Sequence, residues 1–162
     1  LEKDNGDVYF VPAFSGLFSP HWDETARGSL FGLTRFSNKS HMARAVLESV
    51  AFQTYELLES MEKDLDTDFE SLKVDGGMVA NNLLMQFQSD ILDKSIHSQE
   101  INEITALGVG VASYLYVMDL PLSSMGNYIT SSKTWNPNMS NEKRINSLES
   151  WYKAIEKAKN WL

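Results

Sequence analysis

Cysteine is absent from the 162-residue sequence. That excludes a disulfide scaffold, thiolate-ligated zinc, iron–sulfur clusters and thiol nucleophiles together. Positive charge is also scarce: 14 Lys and Arg stand against 22 Asp and Glu, a net charge of −8. The cations are scattered, so no basic stripe exists to displace counterions from phosphates, and no nucleic-acid partner is expected. Long apolar runs are missing as well. The uncharged stretch Ile104 to Met118 has fifteen residues and two glycines, short of the ~20 residues that cross a bilayer, so no membrane partner is expected. No basic-then-apolar segment opens the chain. These absences predict a cytoplasmic protein. The first residue is Leu rather than Met, and the sequence is expected to be a piece of something longer.

What is present is ordinary for a folded domain. Hydrophobic residues make up 43% and charged residues 22%, too much apolar side chain for a disordered chain. One domain spanning residues 1–162 is expected, with 120–140 as the candidate seam. Val8 to Val11 reads as a short strand ended by Pro12, and Ser29 to Thr34 as a second. Between them lies a turn-rich segment in which Phe14, Phe18 and Trp22 are expected to be core anchors. Lys39 to Leu65 has helical spacing, with Met42, Ala45, Val46, Ser49, Val50, Gln53, Leu57 and Met61 along one face and Ser37 or Asn38 as cap. Leu72 to Asp75 reads as a strand, and Leu83, Leu84, Phe87, Ile91 and Leu92 as one face of a helix. A short strand at Ser95 to His97 and a helix at Ile104 to Met118 follow. Leu120 to Pro137 is expected to be loop. Asn141 to Leu162 is expected to be a helix with Ile145, Leu148, Trp151, Ile155, Ala158 and Trp161 on one side. Strands alternating with helices predict an α/β fold.

Chemistry concentrates in one segment, Leu72-Lys-Val-Asp-Gly-Gly-Met-Val-Ala-Asn81. A strand ends in two glycines and a helix begins within a few residues. Gly76 and Gly77 let a ligand approach the backbone without a Cβ in the way. The helix start offers unpaired N–H groups and a positive dipole end, and Asn81 is expected in its first turn. By spacing alone, a tight turn with no ligand accounts for the same residues, since a bare Gly-Gly is a weak motif.

Other candidates read as plain structure. His41, Arg44 and Glu48 share a helix face, and Arg44 can pair with Glu48 four residues on; a solvated face is expected. Asp64-x-Asp66-x-Asp68 opens like a calcium loop, but loop positions six and twelve hold Phe69 and Asp75 rather than Gly and Glu. His21, His41 and His97 lack helix-spaced metal partners, so no metal site is assigned. Asp23 and Glu24 read as surface carboxylates.

Several segments, in order and at matching spacing, carry a resemblance. They are Val8-Tyr-Phe-Val-Pro-Ala-Phe-Ser-Gly-Leu17, Pro20-x-Trp22-Asp23, Ala26-Arg27-Gly28, Gly32-Leu-Thr-Arg35 and Leu47-Glu48-Ser-Val-Ala-Phe-Gln53-Thr54. Val74-Asp-Gly-Gly-Met-Val-Ala-Asn-Asn-Leu-Leu-Met-Gln86, Gln88-Ser-Asp-Ile-Leu92 and Glu103-x-Thr-Ala-Leu-Gly108 continue it. Together they closely resemble the glycerol kinase branch of the FGGY carbohydrate kinases, densely over residues 8 to 110 and more loosely to Trp151-Tyr-Lys-Ala154. Two departures stand out. Gly108-Val-Gly110-Val111 replaces a run with two alanines, and Asp93 to Asn102 lacks a proline-rich loop.

The resemblance implies the C-terminal lobe of a two-lobed kinase with the actin-like ATPase, ribonuclease H-like fold. It implies ATP and Mg2+ as cofactors, glycerol as substrate of the full protein, and Gly76, Gly77 and Asn81 as nucleotide contacts, with Asp75 shaping the turn. The phosphate loop, the glycerol-holding residues and the general base would lie in the missing N-terminal lobe, so no catalytic residue is assigned here and the chain alone is expected to be inactive. Homo-oligomers occur in such families. A sister kinase for xylulose or gluconate, and a non-catalytic nucleotide-binding or interaction module, remain alternatives.

Overall fold

The computed structural model describes residues 3–99, 104–124 and 131–162. The chain forms β1 (Tyr9–Val11), β2 (Ser29–Phe31), α1 (Lys39–Leu65), β3 (Ser71–Val74), α2 (Asn82–Leu92), β4 (Ser95–Gln99), α3 (Ile104–Val117), β5 (Ser131–Trp135) and α4 (Asn141–Ala158). The expected α/β alternation is therefore present. β1 and β2 pair antiparallel, Phe10 opposite Leu30. β3, β4 and β5 form a second sheet in that order. β3 and β4 run parallel with α2 as their crossover, Leu72 opposite Ile96. β5 returns antiparallel to β4, with Trp135 opposite Ile96.

The helix ends follow local chemistry. Asn38 caps α1: its side-chain oxygen accepts from the N–H groups of Ser40 and His41, at 2.8 and 3.2 Å, while His41 Nδ1 accepts from the Asn38 N–H. Asp66, in left-handed conformation, ends the helix. Ser140 caps α4 through the Lys143 N–H.

The core is an aromatic stack. Phe52 of α1 lies face to face with Trp151 of α4, with centroids 4.9 Å apart and planes 8° off parallel. Phe87 of α2 meets Phe52 edge-on at 5.4 Å, and Tyr9 of β1 tilts against it at 5.9 Å. One ring thus joins three helices and a strand. Leu84, Ile91, Ile96, Leu148, Ile155 and Ala158 close around it.

Four expectations need correction. The buried side of α1 is Ala45, Glu48, Ser49, Ala51, Phe52, Glu56 and Leu58, while Val46, Leu57 and Met61 are exposed. Glu48, expected on a solvated face, is buried, and so is Glu56; each has a half-buried partner. Phe14, Phe18 and Trp22 are not core anchors but 76%, 68% and 75% exposed. Their loop is anchored instead by Ala13, Leu17 and Ala26, which are buried in the core, and by polar contacts. The Asp23 carboxylate accepts from the Thr25 and Ala26 N–H groups and the Thr25 hydroxyl, and Leu17 and Asp23 exchange backbone bonds at 2.7 and 2.9 Å. Residues 131–135, expected as loop, form β5. The run Ser-Ser-Lys-Thr has no apolar alternation to signal a strand, and Trp135 reaches the core. The expected turn at Gly126 lies outside the described residues. Finally, Ile145 and Trp161 are exposed rather than on the packed side of α4.

Helix α3 is apolar on all sides but loosely held. Val111 and Leu115 are buried, whereas Val109, Tyr116, Val117 and Met118 are exposed. A Cβ at Gly108 or Gly110 would meet nothing within 4 Å, so within this chain close packing does not call for either glycine.

Because one ring bridges four elements, Phe52→Ala is expected to lower unfolding free energy by about 3–5 kcal/mol, measured by chemical denaturation. Retention of full stability would show that the stack is not the centre of the core.

Candidate nucleotide site

β3 ends at Val74, and the chain turns through Asp75, Gly76 and Gly77 into a short 3-10 turn, Gly77–Ala80, before α2. The turn is closed by the Val79 N–H donating to the Gly76 carbonyl and the Asn81 N–H to the Met78 carbonyl, at 3.1 and 3.0 Å. Gly76 has φ +93° and ψ 172°, a region that residues with a Cβ essentially never occupy. Its absent side chain is therefore a backbone requirement. Gly77 is different: its φ is not in the positive range, and a Cβ there would also meet nothing within 4 Å. Both glycines present bare backbone to open space.

Asn81 sits one step earlier than expected. It is the N-cap of α2 rather than a residue of its first turn, because the 3-10 turn intervenes. Its side-chain oxygen accepts from the N–H groups of Leu83 and Leu84, at 3.1 and 3.2 Å. With the oxygen turned inward to the helix, the amide NH2 is the group left to donate to something else. The structure thus gathers Gly76, Gly77 and Asn81 into one exposed turn: an open backbone surface beside an amide donor. Among the described residues, Asp75 makes no side-chain hydrogen bond to this turn. A groove of about 680 Å³ lies elsewhere, between Tyr9 and Phe31 on one side and Ala154, Lys153 and Lys157 on the other. Among the described residues, no three His, Asp or Glu side chains gather to hold a metal.

The charged groups that the sequence underrated lie in the core. Arg44 Nε donates to Glu48 Oε1 at 2.6 Å, with only 4% of the Glu48 side chain exposed. The pair is buried, not a solvated face. Its i, i+4 spacing was the available signal, and its burial was not. His21 Nε2 lies 2.7 Å from Glu56 Oε1, again with the carboxylate enclosed. Thirty-five residues separate the two, and no motif announces the contact. Burial raises both carboxyl groups above the ordinary Glu value, opposed by Arg44 at Glu48 and by His21 at Glu56. Trp151 Nε1 makes no hydrogen bond within ordinary geometry, yet it lies near enough to the Glu56 carboxylate to favour its charged form. Both pairs clamp α1 and stand apart from the glycine turn.

Residues 1–114 match the FGGY family of carbohydrate kinases, C-terminal domain. The chain is 50% identical to a glycerol kinase of Nocardia farcinica, a match that covers 98% of this chain and 33% of that protein. Among solved structures, it is similar to Plasmodium falciparum glycerol kinase with ADP, with a TM-score of 0.87 and 36% identity over 97% of this chain and 32% of that one. It is also similar to a ligand-bound xylulose kinase from Lactobacillus acidophilus, with a TM-score of 0.73 and 25% identity over 94% of this chain and 31% of that one. The chain spans about a third of the length of the relatives it matches.

The buried Glu48 sets a pH dependence. Its folded value is raised from 4.5 by burial, so the folded state holds the proton more tightly than the unfolded state. Stability therefore falls as pH rises from about 4.5 through the folded value. In Glu48→Gln this part of the decline is expected to vanish, and denaturation series across that window, wild type against variant, check it. Parallel profiles would contradict the assignment.

Proposed function

Because the chain belongs to the FGGY family of carbohydrate kinases, with the actin-like ATPase fold of that family, we propose that it is the nucleotide-binding lobe of an ATP-dependent glycerol kinase. The full protein would convert glycerol and ATP to glycerol 3-phosphate and ADP. The observation that carries this reading is the open Gly76–Gly77 turn beside the Asn81 cap, in a chain half identical to a glycerol kinase and similar in fold to one with ADP. Higher identity to glycerol kinase than to the xylulose kinase, 50% against 25%, favours glycerol over a sister sugar.

In this reading the residues bind and orient. The bare backbone at Gly76 and Gly77 lets the nucleotide lie directly against the chain, and the outward NH2 of Asn81 donates to an acceptor on it. The dipole of α2 favours the negative charge of the nucleotide near that end. Phosphoryl transfer is chiefly a matter of in-line positioning and charge stabilisation. One open wall cannot enclose the reacting groups, so the facing wall, the glycerol pocket and the general base are assigned to the N-terminal lobe. Mg2+ would neutralise phosphate charge in the assembled enzyme; the described residues here do not build its site. A cytoplasmic location and self-association belong to the same proposal.

The test is ATP-dependent phosphorylation of glycerol by the 162-residue chain, beside the same protein extended upstream to its natural start. Activity is expected in the extended protein alone. Activity in the short chain would place a catalytic base within it, and inactivity of both would favour a non-catalytic nucleotide-binding module.

Two substitutions in the extended protein probe the turn itself. Asn81→Ser keeps a capping oxygen but removes the amide donor. Gly77→Ala adds a methyl where the fold has room. Each is expected to weaken ADP binding in a calorimetric titration while leaving unfolding stability within about 0.5 kcal/mol. Unchanged ADP affinity in both would remove the turn from the site.

A further inference from the structure

Helix α2 begins at the proposed nucleotide contact, so whatever holds its far half sets where that contact points. Three side chains on that half reach a single short segment, residues 135–138. Gln86 Nε2 donates to the Asn136 carbonyl at 2.8 Å and to Asp90 Oδ1 at 3.0 Å. Asp90 Oδ1 also accepts from the Asn138 N–H at 2.7 Å. The hydroxyl of Ser89, fully buried, lies 2.8 Å from the Lys94 carbonyl and 3.1 Å from the Trp135 carbonyl. The segment is tied back in turn, since the Ser95 hydroxyl donates to Asn136 Oδ1 at 2.8 Å. The network thus runs from α2 to the β5–α4 junction and returns to the first residue of β4.

Asp90 is its hinge point. A single carboxylate oxygen serves a side chain on its own helix and a backbone N–H forty-eight residues away. Hydrogen bonds to a charged acceptor are the stronger kind, and removing the acceptor strands a backbone donor. The backbone N–H it grips, that of Asn138, lies beyond the stretch matched to the family, which ends at residue 114.

We propose that Asp90 is a positioning residue for the nucleotide, acting through α2: it fixes the helix axis against residues 135–138 and so fixes where Asn81 and the glycine turn present themselves. This rests on the nucleotide-site reading above. It makes the last segment of the chain part of the support of the site, although it contributes no contact to the ligand.

The experiment uses the full-length protein. ADP affinity is measured by calorimetry, and kcat and the KM values for ATP and glycerol by steady-state kinetics, for wild type, Asp90→Ala, Asp90→Asn and Leu148→Val. Asp90→Ala is expected to weaken ADP binding and raise the ATP KM about 3- to 30-fold, the span of couplings carried through a packed element, with the glycerol KM unchanged. Asp90→Asn keeps an acceptor oxygen and is expected to restore most of the loss. Leu148→Val trims the core on α4 and is expected to lower stability without moving the ATP KM. If Asp90→Ala does not fold, Gln86→Ala, which cuts the same link more gently, is expected to show the same direction. Failure of wild type to bind ADP would overturn the nucleotide reading and the proposal with it. Wild-type binding with unchanged affinity in the folded variants, or an ATP KM that Leu148→Val moves equally, would overturn the positioning role alone.

Discussion

The stack of Phe52 on Trp151 is the contact on which the other elements converge. Phe52 also meets Phe87 edge-on and Tyr9 at a tilt, so α1, α2, α4 and β1 share one ring as their common surface. Aromatic pairs at such distances combine large burial with a geometric preference, which limits how far the three helices can slide past one another. The carboxylates of Glu48 and Glu56 lie one turn before and one turn after Phe52 on the same helix face, each with its own cationic or imidazole partner. Burying them is costly unless they are paired. Their partners come from α1 itself and from the loop between β1 and β2, so the pairs tie that loop to the centre of the molecule.

This frame explains how an exposed turn can be definite in shape. The glycine turn has no enclosing wall in the chain, yet it stands between a strand and a helix that are both anchored. β3 is held by parallel pairing to β4. α2 is held by Phe87 in the stack at one side and by Gln86, Ser89 and Asp90 at the other. Gly76 can then occupy a backbone region closed to other residues, because its neighbours are fixed on both sides. α3 and the loop between β1 and β2 also carry exposed apolar side chains, among them Tyr116, Val117, Phe18 and Trp22. They accord with a chain a third as long as its relatives.

Much of this was legible in the residues. Helix spacing marked α1 to its ends, because Asn38 and the acidic run after Leu65 are strong local signals. The Gly-Gly pair after Val74 marked the candidate turn, because a strand feeding glycines and then a capped helix is a pattern of neighbours along the chain. What spacing could not supply was the sense of burial. Glu48 reads as solvent-facing, and Phe14, Phe18 and Trp22 read as core, since a hydrophobicity pattern assigns each residue by its own chemistry and not by its partner's. β5 lacks a sequence signal because four of its five residues are polar or charged, with no apolar alternation to mark a strand.

The sequence by itself determined the α/β class, the family and the three residues of the candidate site. These depend on local order: caps, glycines, and motifs whose members lie close along the chain. Only the tertiary structure decided that Glu48 and Glu56 are buried, that Glu56 meets His21, and that residues 135–138 hold α2. Those features arise from contacts between segments tens of residues apart, such as Asn138 with Asp90 and Glu56 with His21. Their energies depend on burial and geometry that no local pattern of residues encodes.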